Sequence, residues 1–166
     1  MKVTLKWLKD YVDFDLSDDD LSHRLTMAGL EVGSIDAAGK LPGKLVVGRI
    51  EEIAAHPDAD RLRVCQVNVG RKRNLTIVCG AANARKGLHT VAALVGATLP
   101  GGMTISKAAV RGVTSFGMLC SAAELGLEES SAGIMELVGK PAPGLAASEA
   151  LDLDDNILDL ELTPNR

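Results

Sequence analysis

Aromatic side chains are nearly missing from this sequence: there are four in 166 residues, Trp7, Tyr11, Phe14 and Phe116, and three of them precede residue 15. A core must therefore be built from Val, Leu, Ile and Ala. The hydrophobic share of 46% is enough to bury one, which excludes a disordered chain. Long apolar runs are missing too. Met1 to Phe14 carries Lys2, Lys6, Lys9, Asp10 and Asp13, so no signal peptide is expected there. The stretch from Gly87 to Ser106 lacks Lys, Arg, Asp and Glu, but Gly96, Pro100, Gly101 and Gly102 break it into strands and turns, and no membrane span is expected. The three cysteines, Cys65, Cys79 and Cys120, are odd in number and widely spaced, without the close pairing of a zinc or redox motif. They are expected to be small apolar core residues in a reducing cytoplasm.

Catalytic signatures are absent as well. Cys79 with His56 or His89 could be drawn as a nucleophile and base, but no spacing supports the pair. His23, His56 and His89 show no metal-ligand spacing, and neither GxxxxGK[ST] nor GxGxxG occurs, so no catalytic, metal or cofactor site is expected.

What the chain does have is segregated charge. Its net charge of -4 conceals a basic middle: residues 39–111 hold twelve Lys/Arg against four Asp/Glu, residues 1–38 four against eight, and residues 112–166 two against ten. An inserted module with its own electrostatic task would produce this pattern, as would unevenly sampled solvated surface.

Local patterns divide the same way. Thr4 caps a short helix on which Leu5, Leu8 and Val12, with Trp7 and Tyr11, form a stripe expected to pack inward. Ser17 followed by Asp18, Asp19 and Asp20 marks a second helix start, with Leu21, Leu25 and Ala28 facing inward and Gly29 ending it. A strand is expected over Leu30–Asp36. Short β-branched runs then follow between turns: Leu45–Ile53, Leu62–Val69, Asn74–Cys79, His89–Val95 and Lys107–Val110, enough for a five-stranded barrel. Within Leu62–Val69 the apolar phase flips between Val64 and Val67, predicting a bulge or sharp bend in that strand. Gly133–Leu137 is expected as a strand, Leu145–Leu151 as a short helix and Asn156–Leu162 as a strand. The stop at Thr163-Pro164-Asn165-Arg166 suggests the front of a longer polypeptide.

The cations of the middle block are expected on loops: Arg61 and Arg63 at a turn, Arg71, Lys72 and Arg73 at a hairpin tip, Arg85 and Lys86 in a further loop, Lys107 and Arg111 late in the barrel. Loop-borne cations on a rigid barrel suit phosphate-backbone recognition, each neutralised phosphate releasing counterions; a solvated hairpin tip explains Arg71–Arg73 equally well. With no aromatic from 39 to 115, a folded RNA read by backbone and shape fits better than an extended strand. Ser121 followed by Glu124 is a capping box, the expected role of that serine.

Four segments, HPDADRLRVCQVNVG (56–70), IVCGAANARKG (77–87), GATLPGGMTISKAAVRGVTSFGMLCSAAELGL (96–127) and SAGIMEL (131–137), together resemble the tRNA-binding OB domain of aminoacyl-tRNA synthetases and of related free-standing tRNA-binding proteins. The flanks LKWLKDYVDFDLSDDDLSHRLTMAGLEVGSID and DNILDLELTPNR are similar to the beginning of bacterial phenylalanyl-tRNA synthetase β subunits, and the resemblance then covers the whole chain. It implies an α+β chain: a five-stranded OB barrel, residues 39–148, inserted into a small mixed α/β domain made of 1–38 and 149–166. It implies a tRNA partner, an α subunit in an assembly of two α and two β subunits, and ATP and magnesium for the whole enzyme, with the catalytic site outside this segment. Neither a membrane nor DNA is implied as a partner. Arg61, Arg85, Lys107 and Arg111 are the residues expected on phosphates, with Lys86 beside them. Asn83 and Ser115 are expected to donate shorter hydrogen bonds, and Phe116 is the one ring available to a stacked base. A barrel that mainly supports subunit packing, with incidental RNA contact, and a free-standing tRNA-binding protein are the alternatives.

Overall fold

The computed structural model describes residues 1–39 and 41–162, so Thr163 to Arg166 lie outside the described residues. In chain order the elements are β1 (Lys2–Thr4), α1 (Leu5–Lys9), α2 (Asp18–Met27), β2 (Glu31–Ala38), β3 (Leu45–His56), β4 (Ala59–Asn68), β5 (Leu75–Cys79), β6 (His89–Leu94), β7 (Ala108–Val110), β8 (Val113–Ser115), β9 (Gly117–Leu119), α3 (Ala147–Ala150) and β10 (Asp155–Glu161). The class is α+β. Two compact units emerge, Met1–Lys40 with Asp152–Arg166, and Leu41–Leu151.

The first unit is a three-stranded antiparallel sheet in the order β1-β10-β2 with two short helices. Thr4 caps α1 by accepting the Trp7 N–H on Oγ1 at 3.2 Å. Ser17 does the same for α2 through the Asp20 N–H, also at 3.2 Å, and three carboxylates occupy that helix's positive end. Gly29, at φ 88°, ends α2: its N–H reaches Thr26 O and that of Leu30 reaches Leu25 O, a Schellman stop. Leu21, Val3, Leu158 and Leu160 are buried here. The stripe on α1 behaves otherwise than expected. Trp7, Tyr11 and Val12 are exposed, and the two rings meet each other edge to face at 5.4 Å. Ala28 is exposed as well. A five-residue helix is too short to sustain a buried stripe running on to position 12.

The second unit is a five-stranded antiparallel, nearly closed barrel, order β5-β4-β3-β6-β9. Its seam between β5 and β9 is joined at one corner, where the Phe116 N–H donates to Thr76 O at 2.9 Å and the Val78 N–H to Ser115 Oγ at 3.1 Å. The fifth strand is therefore Gly117–Leu119. Ala108–Val110, expected in that role, pairs only with β8 as a separate hairpin. The bulge also moves. β4 pairs with β5 without interruption from Arg63 to Val67, whereas the β3–β4 register shifts twice: between Ile50 and Glu52, where the extra residue lies on β3, and between Ala55 and His56, where Asp60–Leu62 of β4 are extra. Opposite the phase flip the partner strand makes the bend, and the core phase of β4 simply runs through Cys65, Val67 and Val69. Gly48 permits the crowding on β3: a Cβ there would lie 2.8 Å from Val67 Cγ1 and 3.0 Å from Ala92 Cβ.

Both faces of β6 are covered. Ala92 and Leu94 join Ile50, Cys65, Val67, Ile77 and Leu119 in one cluster, while Val91 and Ala93 join Leu99, Ile105, Cys120, Leu125 and Ala147 in another. A strand buried on both sides needs no polar alternation, which explains the unbroken run TVAAL. Gly133–Leu137 forms no strand. Its backbone is tied to the barrel at separate points, Met135 N–H to Cys120 O and Leu137 N–H to His89 O.

Candidate nucleic-acid interface

The β7–β8 hairpin organises the cations. Its two-residue turn is Arg111-Gly112, with φ of 45° and 86°, and two positive values in succession are the geometry that lets a two-residue loop follow the twist of its strands. Glycine takes that conformation freely. Arginine at φ 45° is held in a sparsely populated region at a cost of about 1–2 kcal/mol. The tip rests on the β3–β4 turn through a buried imidazole: His56 Nε2 donates to Val110 O at 3.0 Å, and Nδ1 accepts the Asp58 N–H at 3.1 Å. The neutral ring protonated on Nε2 makes both bonds at once. Arg111 Nη1 adds a long contact, 3.4 Å, to Asp58 O. Arg61 stands exposed at the start of β4, and Arg61, Arg111, Asp60, Ala59 and Leu62 line one shallow depression.

At the base of the same hairpin Lys107 places its ammonium over the Phe116 ring, 5.1 Å from the centroid. Arg71 reaches this place from the β4–β5 connection, and Arg71, Lys107 and Phe116 line a hollow with Leu75, Leu94 and Val95. Neither Arg61, Arg71, Lys107 nor Arg111 has a carboxylate partner among the described residues.

The remaining expected residues are placed differently. Arg85 makes a bidentate pair with Glu136, Nη1–Oε1 at 2.7 Å and Nη2–Oε2 at 2.6 Å. The guanidinium and the Asn83 amide together hold the Glu136 carboxyl down at about 2. Asn83 is engaged on both sides of its amide: Nδ2 donates to Ile134 O at 2.8 Å and Oδ1 accepts the Ile134 N–H at 3.1 Å. Ser115 is buried in the barrel seam, accepting from Val78 and donating to Gly117 O at 2.9 Å. Both amide and hydroxyl thus hold loops. Lys86 is exposed beside Arg85 with no ion pair among the described residues. Ser121 and Glu124 form the reciprocal capping bonds on a turn: the Ser121 N–H donates to Glu124 Oε2 at 2.7 Å and the Glu124 N–H to Ser121 Oγ at 3.3 Å.

Three contributions are only partly legible in the sequence. Arg71 is visible as part of a charged turn, but its nearness to Phe116 depends on how the barrel closes. Glu136 carries no motif that marks it as the partner of Arg85, and His56, although it opens the HPDADRL loop, does not show that the element it anchors is the hairpin. Among the described residues no three His, Cys, Asp or Glu side chains gather as a metal cage. Burial pushes the Cys120 thiol up to about 12 and Cys65 to about 11, and raises Cys79 as well, which keeps all three protonated and unreactive. No helix of the described residues is long and apolar enough to cross a membrane.

Residues 45–146 match the family described as "Putative tRNA binding domain". The chain is 53% identical over its whole length to a Bordetella parapertussis protein, 50% to one from Dechloromonas aromatica and 47% to one from Legionella pneumophila, each named "Phenylalanine--tRNA ligase beta subunit". It spans 21% of the length of each of these relatives.

Proposed function

The chain belongs to the tRNA-binding domain family, and from that premise we propose that it is a tRNA-contacting segment of a phenylalanine–tRNA ligase β subunit. The barrel, residues 39–148, carries the RNA contacts, and residues 1–38 with 149–166 form a separate α/β domain into which it is inserted in sequence. The whole ligase joins phenylalanine to its tRNA in the cytoplasm, with two α and two β subunits. In this reading ATP and magnesium serve that reaction in other parts of the ligase.

The observation that carries this reading is the β7–β8 edge, where Arg61 and Arg111 at one end and Lys107 and Arg71 at the other stand without carboxylate partners among the described residues. The hairpin's three-residue strands separate the two ends by roughly 10 Å, at about 3.4 Å per residue, so the two ends can meet different, non-adjacent phosphates of a folded RNA. Titration of the chain with tRNA at several salt concentrations tests it. Affinity should fall as salt rises, with the logarithmic slope reduced by roughly 0.7–0.9 for each cation removed. Absence of binding even at low salt overturns the RNA reading.

The Arg85–Glu136 pair favours a second reading, in which the barrel mainly packs against other parts of the ligase. A guanidinium already matched by a carboxylate is poorly placed to recruit phosphate. Charge reversal at Lys107 and Arg111 that leaves tRNA affinity unchanged would support this alternative.

A further inference from the structure

Among the described residues of the barrel, the hollow at the base of the β7–β8 hairpin combines cations with an exposed phenyl ring, that of Phe116. We propose that it receives one unstacked nucleotide from a looped part of the RNA, the base against Phe116 and its phosphate between Lys107 and Arg71; this rests on the tRNA-binding reading above.

The floor and walls are apolar: Leu94 is buried, while Val95 and Phe116 remain 44% and 38% exposed, an unusual investment of apolar surface in a region rich in cations. The cavity measures about 290 Å³, near the lower limit for small-molecule sites, so it suits a single planar group rather than a longer ligand. The ring is held firmly. The Phe116 N–H is bonded to Thr76 O, and Ser115 immediately before it joins Val78 to Gly117, so the wall of the hollow is part of the barrel seam rather than a free loop. Lys107 already lies over the ring, and its long stem lets the ammonium move to a phosphate while its methylenes stay against the aromatic surface. Arg71 lies across the same hollow with no carboxylate to hold it among the described residues. A planar apolar group bearing negative charge meets all of these features together, and an unpaired nucleotide is the RNA component with that chemistry. A continuous duplex presents no free base face, so the hollow separates looped from fully paired RNA, whereas Arg61 and Arg111 do not.

The experiment uses the whole 166-residue chain with two RNAs of equal length, one a perfect duplex and one a hairpin with a single-stranded loop, at fixed salt. Wild type should prefer the looped RNA. F116L, which keeps an apolar side chain in the seam, should lose about five-fold or more of its affinity for the looped RNA, leave duplex binding unchanged and keep the salt slope; F116W should restore the preference. A melting curve for each variant separates folding from recognition. Equal affinity of F116L and wild type for the looped RNA, or an equal loss on both RNAs, overturns the nucleotide site while leaving the phosphate edge standing. Failure of wild type to bind either RNA at low salt removes the tRNA reading itself, and the two failures are therefore distinguishable.

Discussion

Arg85 and Arg111 have the same charge, yet their surroundings give them different work. Arg85 is held by Glu136, whose carboxyl lies at about 2, well below the ordinary 4.5, through the guanidinium first and the Asn83 amide second. A depressed folded value means that the pair stabilises the fold fully above pH 4.5, and that the contribution disappears as pH falls from there through about 2. The E136Q variant should therefore melt below wild type near neutral pH, with the gap closing between pH 4.5 and 2.5; a gap constant with pH in thermal melts would contradict this. Arg111 carries backbone strain instead of an ion pair. R111N places in the turn a residue that accepts positive φ, so it should stabilise the chain by about 0.5–1 kcal/mol in urea titrations. The same change should lower the salt slope of tRNA binding by roughly 0.7–0.9, trading function for stability at one position. The cations themselves were legible in the sequence as a basic block. Which of them were already paired was not, because the partner of Arg85 is 51 residues away and reaches it only through the fold.

The elements show the same division between local and distant causes. Helix starts at Thr4 and Ser17 and the stop at Gly29 were legible because a cap is made by neighbours in the chain. Four barrel strands followed from their β-branched runs. The fifth did not: Gly117-Met118-Leu119 is only three residues long and begins with glycine, a poor strand former. Its glycine is required by closure, since a Cβ at 117 would lie 2.6 Å from the Ala93 carbonyl oxygen, a backbone atom of the paired strand, and 3.3 Å from Ile77 Cδ1. G117A should push β9 away from β6 and destabilise the barrel by about 1–3 kcal/mol in urea unfolding, with looped-RNA affinity falling alongside as the Phe116 ring shifts. Unchanged stability in G117A would mean that the seam is looser than its hydrogen bonds indicate. The irregular apolar phase of Leu62–Val69 signals a bulge or bend but not its place, because one sequence run cannot tell which member of a pair holds the extra residue: the one opposite the middle of that run lies on β3, while the extra residues of β4, Asp60–Leu62, lie at its start.

At the scale of the molecule, the acidic-basic-acidic charge order was legible from residue counts, and the two compact units show very different core sizes. Only Val3, Leu21, Leu158 and Leu160 are buried hydrophobics of the outer unit among the described residues, whereas the barrel has two clusters. Fewer buried groups means less to offset chain entropy, so the outer unit should unfold first. The sequence supplies separate reporters: Trp7 is the single tryptophan and lies in the outer unit, while all three cysteines are buried in the barrel. In a urea titration at pH 7.5, Trp7 fluorescence should change at lower urea than the appearance of thiols reactive to a disulfide reagent, and before the second transition no thiol should react. Two coincident transitions would show a single cooperative molecule and remove the distinction. Alkaline pH adds a check on the barrel alone. Its folded thiols lie at about 11 for Cys65 and 12 for Cys120 against 9.0 when exposed, so unfolding releases protons above pH 9. The stabilisation is complete below that value and is lost as pH rises toward 12, so the thiol-reported midpoint should fall from pH 8.5 to 10.5, and C120A should fall less steeply.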